Sequence, residues 1–219
     1  DYLMEDFFYA GGLRALMVEL GEKLDLSVKT VTGKTLGECI KGSENFNRDV
    51  IRTLDSPVYH EGSLAVLKGN LAPDGAVIKP AAMDPKFQKH KGPAIVADSY
   101  AELKKIINDE DYPITADHVL VLRNAGPKGG PGMPEWGMIP MPKALLKQGH
   151  RDMIRLSDAR MSGTSYGACI LHVAPEAFIG GPLALIKTGD IIRVDIPNRK
   201  LDVDVSESEM KKRKEEWVE

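Results

Sequence analysis

Two stretches of this 219-residue chain hold the residue types that chemistry needs. The first, GPKGGPGMPEWGM at residues 126–138, carries one carboxylate, Glu135, in a run too rich in Gly and Pro for a helix or an inner strand. Such a loop needs unusual dihedrals or close approach by another part of the protein. A carboxylate there can ligate a hard cation, since Mg2+ takes oxygen ligands and often only one or two from protein. It can equally be a solvent-facing loop residue. The second stretch, SDARMSGT at 157–164, follows a strand-like run, DMIRL at 152–156. It therefore presents Arg160, Ser162 and Thr164 at a strand's end, where α/β folds usually hold ligands. Ser162 can serve as nucleophile or base only if a metal or a neighbouring base lowers its pKa. Otherwise its hydroxyl bonds nearby backbone, a common turn role.

The neighbours narrow these options. Asp158 and Arg160 alternate in strand register and share a face, as an ion pair or as a clamp on a substrate carboxylate. His172 is placed to orient a serine, but Cys169, Leu171 and Val173 around it read as core, which makes it a core histidine. The turn at Gly129 and Gly130 offers backbone N–H groups for a phosphate. No Gly-Lys-Ser/Thr follows, so a P-loop is excluded. Arg-Met-Ser-Gly-Thr around Ser162 does not match the G-x-S-x-G elbow either. On residue chemistry alone, this is a one-domain α/β protein with an anion or metal loop.

The elements that must position these residues follow from periodicity. Apolar spacing over residues 2–25, broken at Gly11 and Gly12, predicts a short segment, a turn and a helix from about Leu13 to Lys23. Residues 27–32 alternate and are β-branched, predicting a strand. Thr35 caps a short helix at 36–41, with Glu38 completing a capping box. Short strands at 64–67, 76–78, 94–97, 117–123 and 183–186 are predicted, with an exposed connection over 79–91. Ser99 caps a helix at 100–108, and a short helix at 142–148 precedes Gly149. Runs at 191–196 and 200–205 form a hairpin, and Ser206 caps a last, solvated helix at 207–219. Regular βαβ alternation is absent, so the fold expected is an α/β barrel of short strands with peripheral helices.

Composition limits the function classes. A net charge of −3 gives no electrostatic case for nucleic acid or an anionic membrane. No apolar run approaches the roughly 20 residues that span a bilayer, and the first residues have no signal-peptide pattern. Cys39 and Cys169 are two distant thiols outside any CxxC pairing, which suggests reduced cysteines in a cytoplasmic protein. The start at Asp1, inside a helical pattern, reads as a piece of something longer.

Together, GNLAPDG at 69–75, GPKGGPGMPE at 126–135, SDARMSG at 157–163, HVAPEA at 172–177 and DIPNR at 195–199 resemble the dihydroxy-acid dehydratase / phosphogluconate dehydratase family. The likeness runs from LMEDF at 3–7 and AGGL at 10–13 to the final hairpin, and resembles the C-terminal part of such an enzyme. PEWGMIP at 134–140 and SDAR at 157–160 look like the sugar-acid (aldonate) dehydratases. Ser157, Ala159 and Met161 depart from the Thr-Asp-Gly-Arg-Phe-Ser-Gly of the amino-acid biosynthetic branch.

The resemblance implies a swivelling β/β/α barrel spanning residues 1–219, with the N-terminal cluster-binding domain lying outside this chain. It implies a hydro-lyase that removes water from a 2,3-dihydroxy acid to give a 2-keto-3-deoxy acid. It further implies Mg2+ and an iron-sulfur cluster of the 2Fe–2S type acting as Lewis acid. By the same resemblance Glu135 is a Mg2+ ligand, Ser162 abstracts the C2 proton and Thr164 sits beside the substrate. Cys39 and Cys169 match no cluster-ligand position, so the chain alone is expected to be inert. Its expected partners are its own N-terminal domain and further copies of the full-length enzyme, as a homodimer or homotetramer. Two other readings stand beside this one: a dihydroxy-acid dehydratase of branched-chain amino-acid synthesis, and a stand-alone binding module that has lost catalysis.

Overall fold

The computed structural model describes residues 2–132, 134–160, 162 and 166–217. The chain divides into two compact units, Asp1–Gly62 and Ser63–Glu219. The larger is built on short apolar strands that glycine turns keep short: β1 (Ala65–Leu67), β2 (Gly75–Ile78), β3 (Lys89–Ala97), β4 (Val119–Leu122), β5 (Arg155–Ser157), β6 (Cys169–Ala174), β7 (Ile191–Asp195) and β8 (Lys200–Val203). They form one sheet in the order β1-β2-β6-β5-β4-β3-β7-β8. The inner strands β3, β4, β5 and β6 are parallel, and antiparallel pairs flank them. All four residues of β4 are buried, as the unbroken apolar run of an inner parallel strand requires.

The two ends of this sheet meet. Lys68 N donates to Arg199 O at 2.9 Å and Leu201 N to Lys68 O at 3.2 Å. Asn70 extends the seam with its side chain: Nδ2 donates to Val203 O at 2.9 Å and Oδ1 accepts from Val203 N at 2.7 Å. The sheet is thus a nearly closed barrel, which largely removes the edge-strand problem. Peripheral helices complete it: α4 (Tyr100–Asn108), α5 (Lys143–Lys147) and α6 (Glu207–Glu216). Ser99 Oγ accepts from Glu102 N at 3.2 Å to start α4, which buries Leu103, Ile106 and Ile107.

The smaller unit holds α1 (Met4–Tyr9), α2 (Gly12–Leu20) and α3 (Leu36–Ile40). The break at Gly11 and the Thr35–Glu38 capping box are as expected: Thr35 Oγ1 accepts from Glu38 N at 3.2 Å, and Thr35 N donates to Glu38 Oε2 at 2.7 Å.

Three expectations fail. Residues 27–32 make an isolated bridge, Lys29 to Thr35, because Val28 and Val31 are exposed and, among the described residues, no strand pairs with them. Of residues 183–186, the first three fall in a 3-10 turn, Pro182–Leu185, that proline starts and that buries Leu183 and Leu185, and Ile186 follows it in extended backbone. The connection 79–91 is not simply exposed: Met83 and Phe87 are buried, and Lys89–Lys91 already belong to β3. Lys89 and Lys91 misled because their ammonium groups face outward to Asp195 and Asp204.

Candidate active site

The parallel strands β3, β4 and β5 end in register at Ala97, Leu122 and Ser157. Both chemistry-bearing stretches leave this edge, one after β4 and one after β5. Two carboxylates shape it. Asp158 is buried, with Oδ1 accepting from Ala125 N at 2.9 Å and Oδ2 from Ala177 N at 2.8 Å. Burial pushes its pKa up, the two N–H donors oppose that rise, and the nearby Glu176 adds to it. Glu176 accepts from Lys128 N at 3.0 Å and Gly129 N at 3.3 Å. Of the two N–H groups that offered a phosphate cradle in the sequence, Gly129 N thus points at the protein's own carboxylate and Gly130 N donates to Gly126 O at 2.7 Å. Gly126 packs on that carboxylate so closely that a Cβ would collide with Glu176 Oε2.

Asp158 and Arg160 do not form the pair that their alternation suggested, because Asp158 turns inward to backbone donors. Arg160 Nη2 instead lies 2.5 Å from Glu135 Oε1, with both side chains half exposed. This contact joins the glycine loop to the serine stretch two residues before Ser162. Gly137 seals the junction, since a Cβ there would strike Arg160 O. Next to Glu135, Trp136 stacks on Tyr100 of α4, with ring centroids 5.3 Å apart and planes 3° from parallel. The backbone that carries Glu135 is thereby fixed on a helix.

Ser162 is half-buried, and its carbonyl accepts from Lys79 Nζ at 2.7 Å. Thr164 lies outside the described residues. The far ends of both stretches are tied by one buried ion pair, Arg155 Nη2 to Asp152 Oδ1 at 2.8 Å. Arg155 also donates to Ile139 O at 2.8 Å, and Asp152 accepts from Ala168 N at 2.9 Å and from Asp84 N at 3.0 Å. His172, expected in the core, is instead an exposed position of β6 with φ of 55°. Partial burial and the Arg160 charge hold its pKa below the usual histidine value.

Sequence reasoning did not find Lys79, Glu176 or the Asp152–Arg155 pair. Their roles are tertiary, although Glu176 lies within the HVAPEA string at 172–177 and the residues just before Lys79 adjoin the GNLAPDG string at 69–75.

Among the described residues no three His, Cys, Asp or Glu side chains converge as a metal site. Glu135 is a half-exposed loop carboxylate of the kind Mg2+ can take, with Oε1 engaged by Arg160. Of the two cysteines, Cys169 is buried and desolvation raises its pKa, whereas the hydroxyls of Thr30 and Thr32, 3.6 Å from Cys39 Sγ, lower that of Cys39.

Residues 49–219 match the family model described as dihydroxy-acid/6-phosphogluconate dehydratase C-terminal. The chain is 50% identical to a 6-deoxy-6-sulfo-D-gluconate dehydratase of Pseudomonas putida, over 97% of this chain and 37% of that protein. It is 47% identical to an L-arabinonate dehydratase of Rhizobium leguminosarum, over 99% of this chain and 38% of the relative. A dihydroxy-acid dehydratase of Methanothrix thermoacetophila is 46% identical, over 98% and 39% respectively. The chain thus spans well under half the length of the relatives it matches. It belongs to the dihydroxy-acid/6-phosphogluconate dehydratase family and carries that family's C-terminal domain.

Proposed function

We propose that this chain is the C-terminal part of a cytoplasmic, homo-oligomeric hydro-lyase that dehydrates a sugar acid to a 2-keto-3-deoxy acid. The observation that carries the reading is the Glu135–Arg160 contact, which joins the carboxylate loop and the serine stretch at the C-terminal edge of β4 and β5. Ser162 takes the C2 proton, the C3–O bond breaks, the departing hydroxide takes that proton back from Ser162 to leave as water, and the enol tautomerises to the keto acid. Glu135 is one ligand of Mg2+, and Thr164 lies beside the substrate. Bound Mg2+ would supply positive charge at the site, and an iron-sulfur cluster, with ligands outside this chain, would supply a Lewis acid. The isolated chain is accordingly inert, and its own N-terminal domain completes the site.

The sugar-acid reading draws support from identities of 50% and 47% to two sugar-acid dehydratases. The 46% identity to a dihydroxy-acid dehydratase keeps branched-chain synthesis as the second reading. A panel of pentonates, hexonates and 2,3-dihydroxyisovalerate, offered to the full-length enzyme with Mg2+ and intact cluster, separates the two. Ser162→Ala is expected to keep the cluster and lose about 100-fold or more in kcat, the range for a missing general base. Turnover of 2,3-dihydroxyisovalerate alone would replace the substrate class, and near-normal turnover by Ser162→Ala would leave Ser162 a turn residue.

A further inference from the structure

We infer that Lys79 is a positioning residue for Ser162, fixing the backbone at the serine and supplying positive charge that favours its deprotonated form. This rests on the reading of Ser162 as the base. Lys79 directly follows β2, whose pairing with β6 places Val77 opposite Leu171. Pro80 follows it, and a residue before proline is confined to extended backbone, as the φ of −104° and ψ of 91° show. The lysine stem thus leaves a rigid base. Its Nζ donates to Ser162 O at 2.7 Å. Three residues on, Ala82 O accepts from Gly167 N at 2.7 Å, so residues 79–82 hold the serine stretch at both Ser162 and Gly167.

A carbonyl in a half-open turn has no need of a charged donor, because water satisfies it. Ordering a lysine there costs side-chain entropy. A positive charge held at the serine's own carbonyl adds to the field at that residue and favours the alkoxide over the neutral hydroxyl. The other charged and titratable groups around this connection are Cys169 of β6, which senses the Lys79 charge, the Asp152–Arg155 pair, Arg160 with Glu135, and His172 beside Arg160. Arg160 pairs with Glu135, whereas Lys79 is bonded to the serine residue itself.

The test compares Lys79→Met, Lys79→Arg and Ser162→Ala in the full-length enzyme, with cluster absorbance and thermal melting confirming folded protein. Lys79→Met is expected to lower kcat about 10-fold to 100-fold, the scale of a misplaced catalytic group, with KM nearly unchanged. The lower limb of its kcat–pH profile moves to higher pH, since the serine gives up its proton less readily without the cation. Lys79→Arg restores the limb and part of kcat. Equal losses in Met and Arg variants with an unmoved limb would show a purely structural lysine and overturn the inference. So would a wild-type profile in Lys79→Met while Ser162→Ala is inactive, which spares the base reading. An active Ser162→Ala would remove the base reading and this inference with it. If Lys79→Met does not fold, a displaced limb in Lys79→Arg decides for the inference and an unmoved limb with lost kcat decides against it.

Discussion

The two units bury apolar surface on very different scales. Ser63–Glu219 encloses a continuous core from Leu67 of β1 through Leu120 and Leu156 of the inner strands to Leu201 of β8. Residues 1–62 gather a cluster of Ala10, Ala15 and Ile51, with Phe7, Leu16 and Val50 packed on it. The same unit exposes Leu3, Met4, Phe8, Tyr9 and Phe46, Phe8 at 73% of its surface. Both contain ordinary helix signals, so the difference is not one of local propensity. A segment becomes self-sufficient when it buries enough apolar area to offset the entropy of ordering it. The barrel meets this condition and the helical unit does so only narrowly. A surface that meets other protein would bury such residues.

The largest test of the contrast strikes the barrel's polar anchor. Arg155→Ala leaves Asp152 buried without its partner and is expected to cost about 3–5 kcal/mol in denaturant unfolding. A loss below 1 kcal/mol would mean that apolar packing alone holds the two loop ends. Next comes α6, whose polar composition suggested a solvated face. Arg213 is only 10% exposed and Asp190 13%, and they pair at 2.5 Å, with a second contact at 3.1 Å. Arg213→Ala is expected to cost about 2–3 kcal/mol.

That second effect depends on pH. Burial works to raise the Asp190 pKa, but the Arg213 and Lys187 N–H hydrogen bonds outweigh it and the net shift is downward. Asp190 therefore adds stability that is present above the unfolded aspartate value of about 3.9 and lost as pH falls through its lower folded value. The stability gap between wild type and Arg213→Ala narrows as pH drops from about 5 toward 2. A gap constant over that range would show that the lost arginine packing, not the charge pair, set the cost.

The smallest effect is expected in the helical unit. Phe8→Ser in the 219-residue chain should change stability by no more than about 0.5 kcal/mol, as for an exposed site. The same substitution in the full-length enzyme should cost more, and equal small effects in both would show that Phe8 stays in water.

Much of the architecture was legible because local signals acted alone. The Ser99 and Thr35 caps, the β7–β8 hairpin and the apolar run of β4 each depend on residues within a few positions of one another. Residues 27–32 and 183–186 were misread because β-branched or apolar composition does not say whether a pairing strand lies alongside. At the site, Glu135 and Ser162 stood out by residue type and by their glycine and proline surroundings. Glu176 filling the cradle at Lys128 and Gly129 did not, since those groups are nearly fifty residues apart.

The sequence by itself determined the chemical vocabulary: a carboxylate in a glycine loop, a serine after a strand, and strings whose order identifies a dehydratase C-terminal domain. Only the tertiary structure decided who partners whom. Asp158 turns to the backbone of Ala125 and Ala177, leaving Arg160 for Glu135, and Lys79 reaches Ser162 across eighty-three positions of chain. The physical reason is that a buried or half-buried polar group must find its partner wherever the fold delivers one. Barrel closure, not neighbourhood along the chain, sets what it delivers.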